Sequence, residues 1–123
     1  MIEDGDLVGE LYRVPDDWWG FTAFGRENHP GACVGYGQRG YQVTLLKGTD
    51  PRSARYGETH VLVDVDKSNQ LLKRTAFAIK PVMKPARKVS LLRHDRLIGT
   101  LGAGDLAKMQ SELVRLFDTD DEG

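Results

Sequence analysis

The apolar residues of this chain change their period once, and that change limits the fold more than any other feature. Up to Leu101 they sit in short runs that alternate with polar residues and are broken by Gly, Pro, Asp and Asn. Beyond it, Leu106, Met109, Leu113 and the pair Leu116/Phe117 fall at helical spacing, with Lys108, Glu112 and Arg115 on other faces. This predicts one amphipathic helix over about 103–117. Gly99 to Gly104 supplies the break before it, and either Gly102 or Gly104 serves as an N-cap. Asp105 in the first turn complements the helix dipole.

The segments before the helix read as strands. Asp6–Val14 alternates loosely and ends at Pro15, after which Pro15-Asp16-Asp17 signals a turn. Trp18-Trp19-Gly20-Phe21-Thr22-Ala23-Phe24 is aromatic and extended, either a short strand or a loop folded over a barrel mouth. Gly31–Tyr36 reads as a short buried strand, Gly37–Gly40 as a turn and Tyr41–Leu46 as the next strand. Gly48–Gly57 reads as a loop. Val61, Val63 and Val65 alternate within Thr59–Val65, a strong strand pattern. Ala76–Ile79 and Lys88–Leu92 are expected to be basic strands, with Pro81 and Pro85 between them marking an edge or a bend. Five to seven short strands at roughly 8–12-residue spacing, without repeats or a linker, predict a mainly β small barrel with a C-terminal helix, one domain over 1–123.

Composition agrees with a globular chain: 40% of the 123 residues are hydrophobic and 28% charged. No apolar run approaches the ~18–20 residues that span a bilayer. The opening Met1-Ile2-Glu3-Asp4 lacks the apolar region of a signal peptide, so the expected location is the cytoplasm. Cys33, the single cysteine, cannot form an internal disulfide and reads as a small buried hydrophobe within Ala32-Cys33-Val34.

The net charge of −1 conceals segregation. Lys67 to Arg96 carries nine basic residues against one acid, Asp95, whereas 1–20 holds six acids and one base and 105–123 six acids and two bases. Such a chain either presents a basic face to a polyanion or scatters these cations around a barrel.

Several chemistries have no support in the pattern. No CxxC or HExxH occurs, and the three histidines, His29, His60 and His94, are far apart. Neither a GxGxxG nor a GxxxxGK[ST] is expected to follow a strand. Cofactors and a metal site are therefore not expected. Cleaving RNA without a metal needs a group to deprotonate the ribose 2′-OH, another to protonate the leaving 5′-oxygen, and donors for the phosphorane charge. Arg26, His29, Lys47, Thr49 and the basic block are candidates at strand ends and loops.

Four segments, in order, carry a family resemblance. Asp4-Gly5-Asp6-Leu7-Val8 looks like an opening "PGDIV" strand, and His29-Pro30-Gly31-Ala32-Cys33-Val34 like "RPalVV". Val43-Thr44-Leu45-Leu46-Lys47-Gly48-Thr49-Asp50 looks like "vtvapiTs". Arg96-Leu97-Ile98-Gly99-Thr100-Leu101, followed by Asp105-Leu106, is similar to "kriGrLseeDl". Together they resemble the PemK/MazF family of toxin endoribonucleases, whose fold is an SH3-like small barrel with a C-terminal helix, shared with gyrase-poisoning toxins of the CcdB type.

The resemblance implies a metal-independent endoribonuclease that cuts single-stranded RNA by 2′-OH attack, works as a homodimer and is neutralised by an antitoxin protein. The family's threonine position falls on Thr49. Its arginine position falls on His29, a departure, with Arg26 three residues earlier available if the loop folds back. Trp18 and Trp19 stand in the family's variable first loop, where aromatics either stack on exposed bases or cover the barrel. Lys47, Arg74, Lys80 and Lys84 are the candidate RNA contacts. The alternative is a non-catalytic SH3-like barrel that binds protein or nucleic acid.

Overall fold

The computed structural model describes residues 7–19, 28–37, 41–53 and 58–117. Its centre is a mainly β, strongly curled sheet of seven strands: β1 (Glu10–Pro15), β2 (Asn28–Tyr36), β3 (Gln42–Thr49), β4 (His60–Val63), β5 (Thr75–Ala78), β6 (Val82–Pro85) and β7 (Leu97–Thr100). Two helices complete it, α1 (Ala86–Leu92) and α2 (Ala103–Phe117). Among the described residues no helix is long and apolar enough to cross a membrane.

The strands run in the order β4-β5-β3-β2-β1-β7, all pairings antiparallel, with β6 attached to β3 off this path. β3 is the hub. One of its edges pairs with β2, while its other edge is divided, Gln42–Leu45 going to β6 and Gly48–Thr49 to β5. Because the two halves of one strand serve different neighbours, the sheet has to bend there, and it curls into a half-barrel.

Both faces of the central strands are covered. Neighbours Leu11 and Tyr12, Ala32 and Cys33, and Leu45 and Leu46 are all buried, yet one of each pair belongs to each of two separate cores. The inner core of Leu11, Ala32, Val34, Leu46, Phe77 and others is closed by Met109, Leu106 and Leu113 of α2. The outer core of Tyr12, Val14, Cys33, Val43 and Leu45 is closed by Ala86, Val89 and Leu92 of α1 and by Trp18 and Trp19. A sheet covered on both faces reads as continuous apolar runs, which explains Ala32-Cys33-Val34.

α2 has the predicted bounds. The Leu106 amide donates to the Gly102 carbonyl at 3.0 Å, which makes Gly102 the N-cap. Its last turn departs from the expected core stripe, since Leu116 and Phe117 are exposed.

The segment Lys88–Leu92 is a correction: it is the body of α1, not a strand. Ala86, Val89 and Leu92 are its buried residues, a three-residue spacing, while Lys88 and Leu91 face solvent. Seven residues are too short a window for the helical and alternating patterns to separate, and Pro85, extended at the N-cap position, starts the turn. β6, between Pro81 and Pro85, is an edge strand, as proline demands.

The first strand is shorter than expected. Leu7–Gly9 forms a turn, with Gly9 at φ 97° and its amide donating to the Cys33 carbonyl at 2.7 Å. Trp18 and Trp19 lie in a 3₁₀ turn, Asp16–Trp19, rather than in an extended segment. Gly20–Phe24 and Arg26 lie outside the described residues. β3 runs on to Thr49, past the start of the expected loop. Gly35, Gly37 and Gly40 have GxGxxG spacing after the start of a strand, which corrects that expectation. Gly35 lies in β2, Gly37 follows it and Gly40 lies outside the described residues; the next described strand, β3, is antiparallel and offers no helix terminus to a phosphate.

Candidate active site

Where β1 ends, its partner β2 begins. The register sets Val14 opposite His29 and Pro15 opposite Asn28, so the next residue, Asp16, enters the 3₁₀ turn directly beside the start of β2. His29 Nδ1 donates to Asp16 Oδ1 at 2.5 Å. The carboxylate is only 12% exposed and the imidazole 26%. The bond from Nδ1 to this carboxylate orients the ring and favours the tautomer protonated at Nδ1, in which Nε2 is the basic nitrogen.

His29 is on the outer face of the sheet, and pairing brings other candidates to that face. Gly31 lies opposite Lys47, and the same register carried two residues further takes His29 towards Thr49. Side chains two apart share a face, so His29, Lys47 and Thr49 gather at one end of the β2–β3 pair. Lys47 and Thr49 are both half-buried. Beyond Thr49, the Asp50 carboxylate accepts from the Arg52 amide at 2.9 Å, from Arg52 Nε at 3.3 Å and from Lys73 Nζ at 2.9 Å. The Arg52 side chain, then Lys73, holds this carboxyl well below the usual range. Asp50 therefore stays ionised and fixes the strand end that carries Thr49.

Trp19 packs against Gly31. A Cβ there would stand 3.1 Å from two ring carbons of Trp19 and 2.7 Å from Val14 Cγ2, so only glycine admits the indole. The Trp19 Nε1 proton is buried with no acceptor among the described residues. Trp18 meets the Lys84 and Lys88 ammonium groups, 5.8 and 4.8 Å from its ring centroid. One turn thus supplies the carboxylate that holds His29 and both aromatics beside it.

The remaining expected RNA contacts are elsewhere. Arg74 Nε meets Asp64 Oδ1 at 3.0 Å, and Lys80 Nζ lies 3.5 Å from Glu58 Oε2, so both cations are matched by acids flanking β4. On the opposite face of the same sheet end, a groove of about 420 Å³ runs between Arg13, Pro30, Lys73, Thr75, Leu97 and Ile98. Pro30 and Arg13 pair across β1 and β2 next to His29 and Val14, so the groove begins one residue from the imidazole.

Sequence reasoning missed Asp16, read only as a turn residue, and Lys88, placed on a strand. The signal for Asp16 was an acid one residue past a strand whose partner begins with histidine, and it is legible only once that pairing is known. Cys33 is fully buried as expected, and burial pushes its thiol up to about 12, so it stays protonated and contributes no nucleophile. No group of three or more His, Cys, Asp or Glu side chains converges among the described residues. No protein-family model matches the chain, and no curated protein matches it.

Proposed function

We propose that this protein is a metal-independent endoribonuclease acting on single-stranded RNA. The observation that carries the reading is the His29–Asp16 pair, an imidazole oriented by a half-buried turn carboxylate on the face shared by Lys47 and Thr49. His29 Nε2 takes the proton of the 2′-OH as the O2′–P bond forms. The P–O5′ bond breaks, and the 5′-oxygen takes a proton from water, whose hydroxide takes the proton back from the imidazolium, leaving a 2′,3′-cyclic phosphate, a 5′-OH and His29 as it began. The Thr49 hydroxyl and the Lys47 ammonium serve the phosphorane charge, the role that oriented donors play in other phosphoryl and acyl transfers.

The curled sheet with its C-terminal helix agrees with the SH3-like barrel of the PemK/MazF toxins, and the order of the four motifs supports that assignment. On this reading the protein is a cytoplasmic homodimer with an antitoxin partner. His29 takes the place of the family's arginine: a proton-transfer group held by Asp16 stands where a guanidinium would clamp phosphate. Arg26 enters through the resemblance alone.

The test is incubation of defined single-stranded RNA in EDTA with the wild type, His29→Ala and Thr49→Ala. Cyclic-phosphate ends are expected from the wild type, with the rate lowered about 10²-fold or more by His29→Ala, the span of general acid–base catalysis. Cleavage abolished by chelation, or equal in the three proteins, excludes the mechanism. RNA binding without cleavage would instead favour a binding module on the same barrel.

A further inference from the structure

The cations between Lys67 and Arg96 divide, once folded, into matched and unmatched sets. Lys73, Arg74, Lys80 and Arg93 meet Asp50, Asp64, Glu58 and Glu10 at 2.9, 3.0, 3.5 and 2.8 Å. Besides Lys67 and Arg96, the cations here with no acidic partner among the described residues are Lys84, Arg87 and Lys88. These three are also neighbours. Lys84 is on β6, and Arg87 and Lys88 are exposed on the first turn of α1. Lys84 and Lys88 are both drawn onto the ring of Trp18, which limits their freedom before any ligand arrives. Cations already held in place lose less side-chain entropy on meeting a partner.

We infer that Lys84, Arg87 and Lys88 form a phosphate-contacting surface that leads a single-stranded RNA past Trp18 to His29. The inference rests on the ribonuclease reading for its partner. A polyanion fits better than a small anion, because the charges are spread over a strand and a helix, not gathered in a cavity. Continuity favours a strand that ends at the imidazole, since Trp18 and Asp16 belong to one turn and Asp16 holds His29. The surface also differs from the one expected from sequence: Arg74 and Lys80 are absent from it, and Arg87 and Lys88 join Lys84.

The test is the salt dependence of binding to a short 2′-O-methyl oligoribonucleotide, which lacks the attacking hydroxyl and so reports binding alone. Wild type is compared with Lys84→Gln/Arg87→Gln/Lys88→Gln and with Lys67→Gln/Lys108→Gln/Arg115→Gln, an equal loss of formal charge placed elsewhere. Each phosphate contact on a single strand contributes about 0.7 to the log–log slope, so the first variant is expected to be shallower by about 2 and the second unchanged. Lys84 and Lys88 also pack on Trp18, so Arg87→Glu alone is measured beside them. It is expected to weaken binding several-fold at an unchanged Tm. Equal slopes for the two triple variants reduce the effect to net charge and overturn the inference. Salt-independent binding by the wild type overturns it too, as does an acidic peptide using these three residues while the oligonucleotide does not bind. The ribonuclease reading fails separately, on cleavage indifferent to His29→Ala, while the salt slope still decides the surface.

Discussion

Asp16 touches no substrate on the proposed reading; it acts through His29, and that makes its contribution separable. Replacing it with asparagine keeps the shape of the turn but offers Nδ1 an amide, which no longer requires the tautomer protonated at Nδ1. Asp16→Asn is therefore expected to lower kcat by about 10²-fold with little change in KM, because the interaction matters to proton transfer and not to binding. The two residues act as a unit, so Asp16→Asn/His29→Ala should be no slower than His29→Ala alone. A pH–rate profile completes the test. It should change shape in Asp16→Asn, whereas a merely structural role would lower the whole curve without altering its form. Residues that add independently, with an unchanged profile, would remove Asp16 from the mechanism.

Among the elements, α2 is the anchor of the inner core, and its contribution falls off sharply along its length. Met109 is fully buried among Leu11, Val34, Phe77 and their neighbours, while Val114 and Phe117 are more than half exposed, at 56% and 52%. Met109→Ala should cost about 2–5 kcal/mol, the range for deleting a large buried side chain. Phe117→Ala should stay within about 0.5 kcal/mol. Chemical denaturation midpoints measure both, and equal losses would mean that the terminal turn is packed in solution. α1 is tied down differently. Arg93 at its C-terminal end donates to both oxygens of Glu10, which also accepts from the Tyr12 hydroxyl at 2.6 Å. That link gives a seven-residue helix, too short to persist alone, a fixed place on the sheet.

For the molecule as a whole, the same network sets a limit on alkaline stability. Tyr12 is fully buried, and burial first, then its bond to Glu10, pushes its phenol far above the ordinary value. The folded state keeps this proton where the unfolded chain, titrating near ~10, releases it. Above that pH the unfolded state binds fewer protons, so stability falls as pH rises, by up to ~1.4 kcal/mol per unit. Tyr12→Phe should flatten this part of the curve of unfolding free energy against pH, and an unchanged slope would assign it to other groups. How much of this was legible in the sequence varies with range. The helix over Ala103–Phe117 was fully legible because its fifteen residues carry their own period. The Asp16–His29 pair was not, since it depends on which strand lies beside β1, and α1 was misread because seven residues do not distinguish two periods. His29, Lys47 and Thr49 were found by motif order, but their shared face follows from register alone. One pairing has a further consequence, for synthesis. β1 joins β7, with Glu10 opposite Thr100, so this edge of β1 has no native partner until the chain has left the ribosome as far as Thr100. The half-barrel therefore closes late in synthesis, and until β7 emerges the nascent chain carries an open strand edge that invites association with its neighbours.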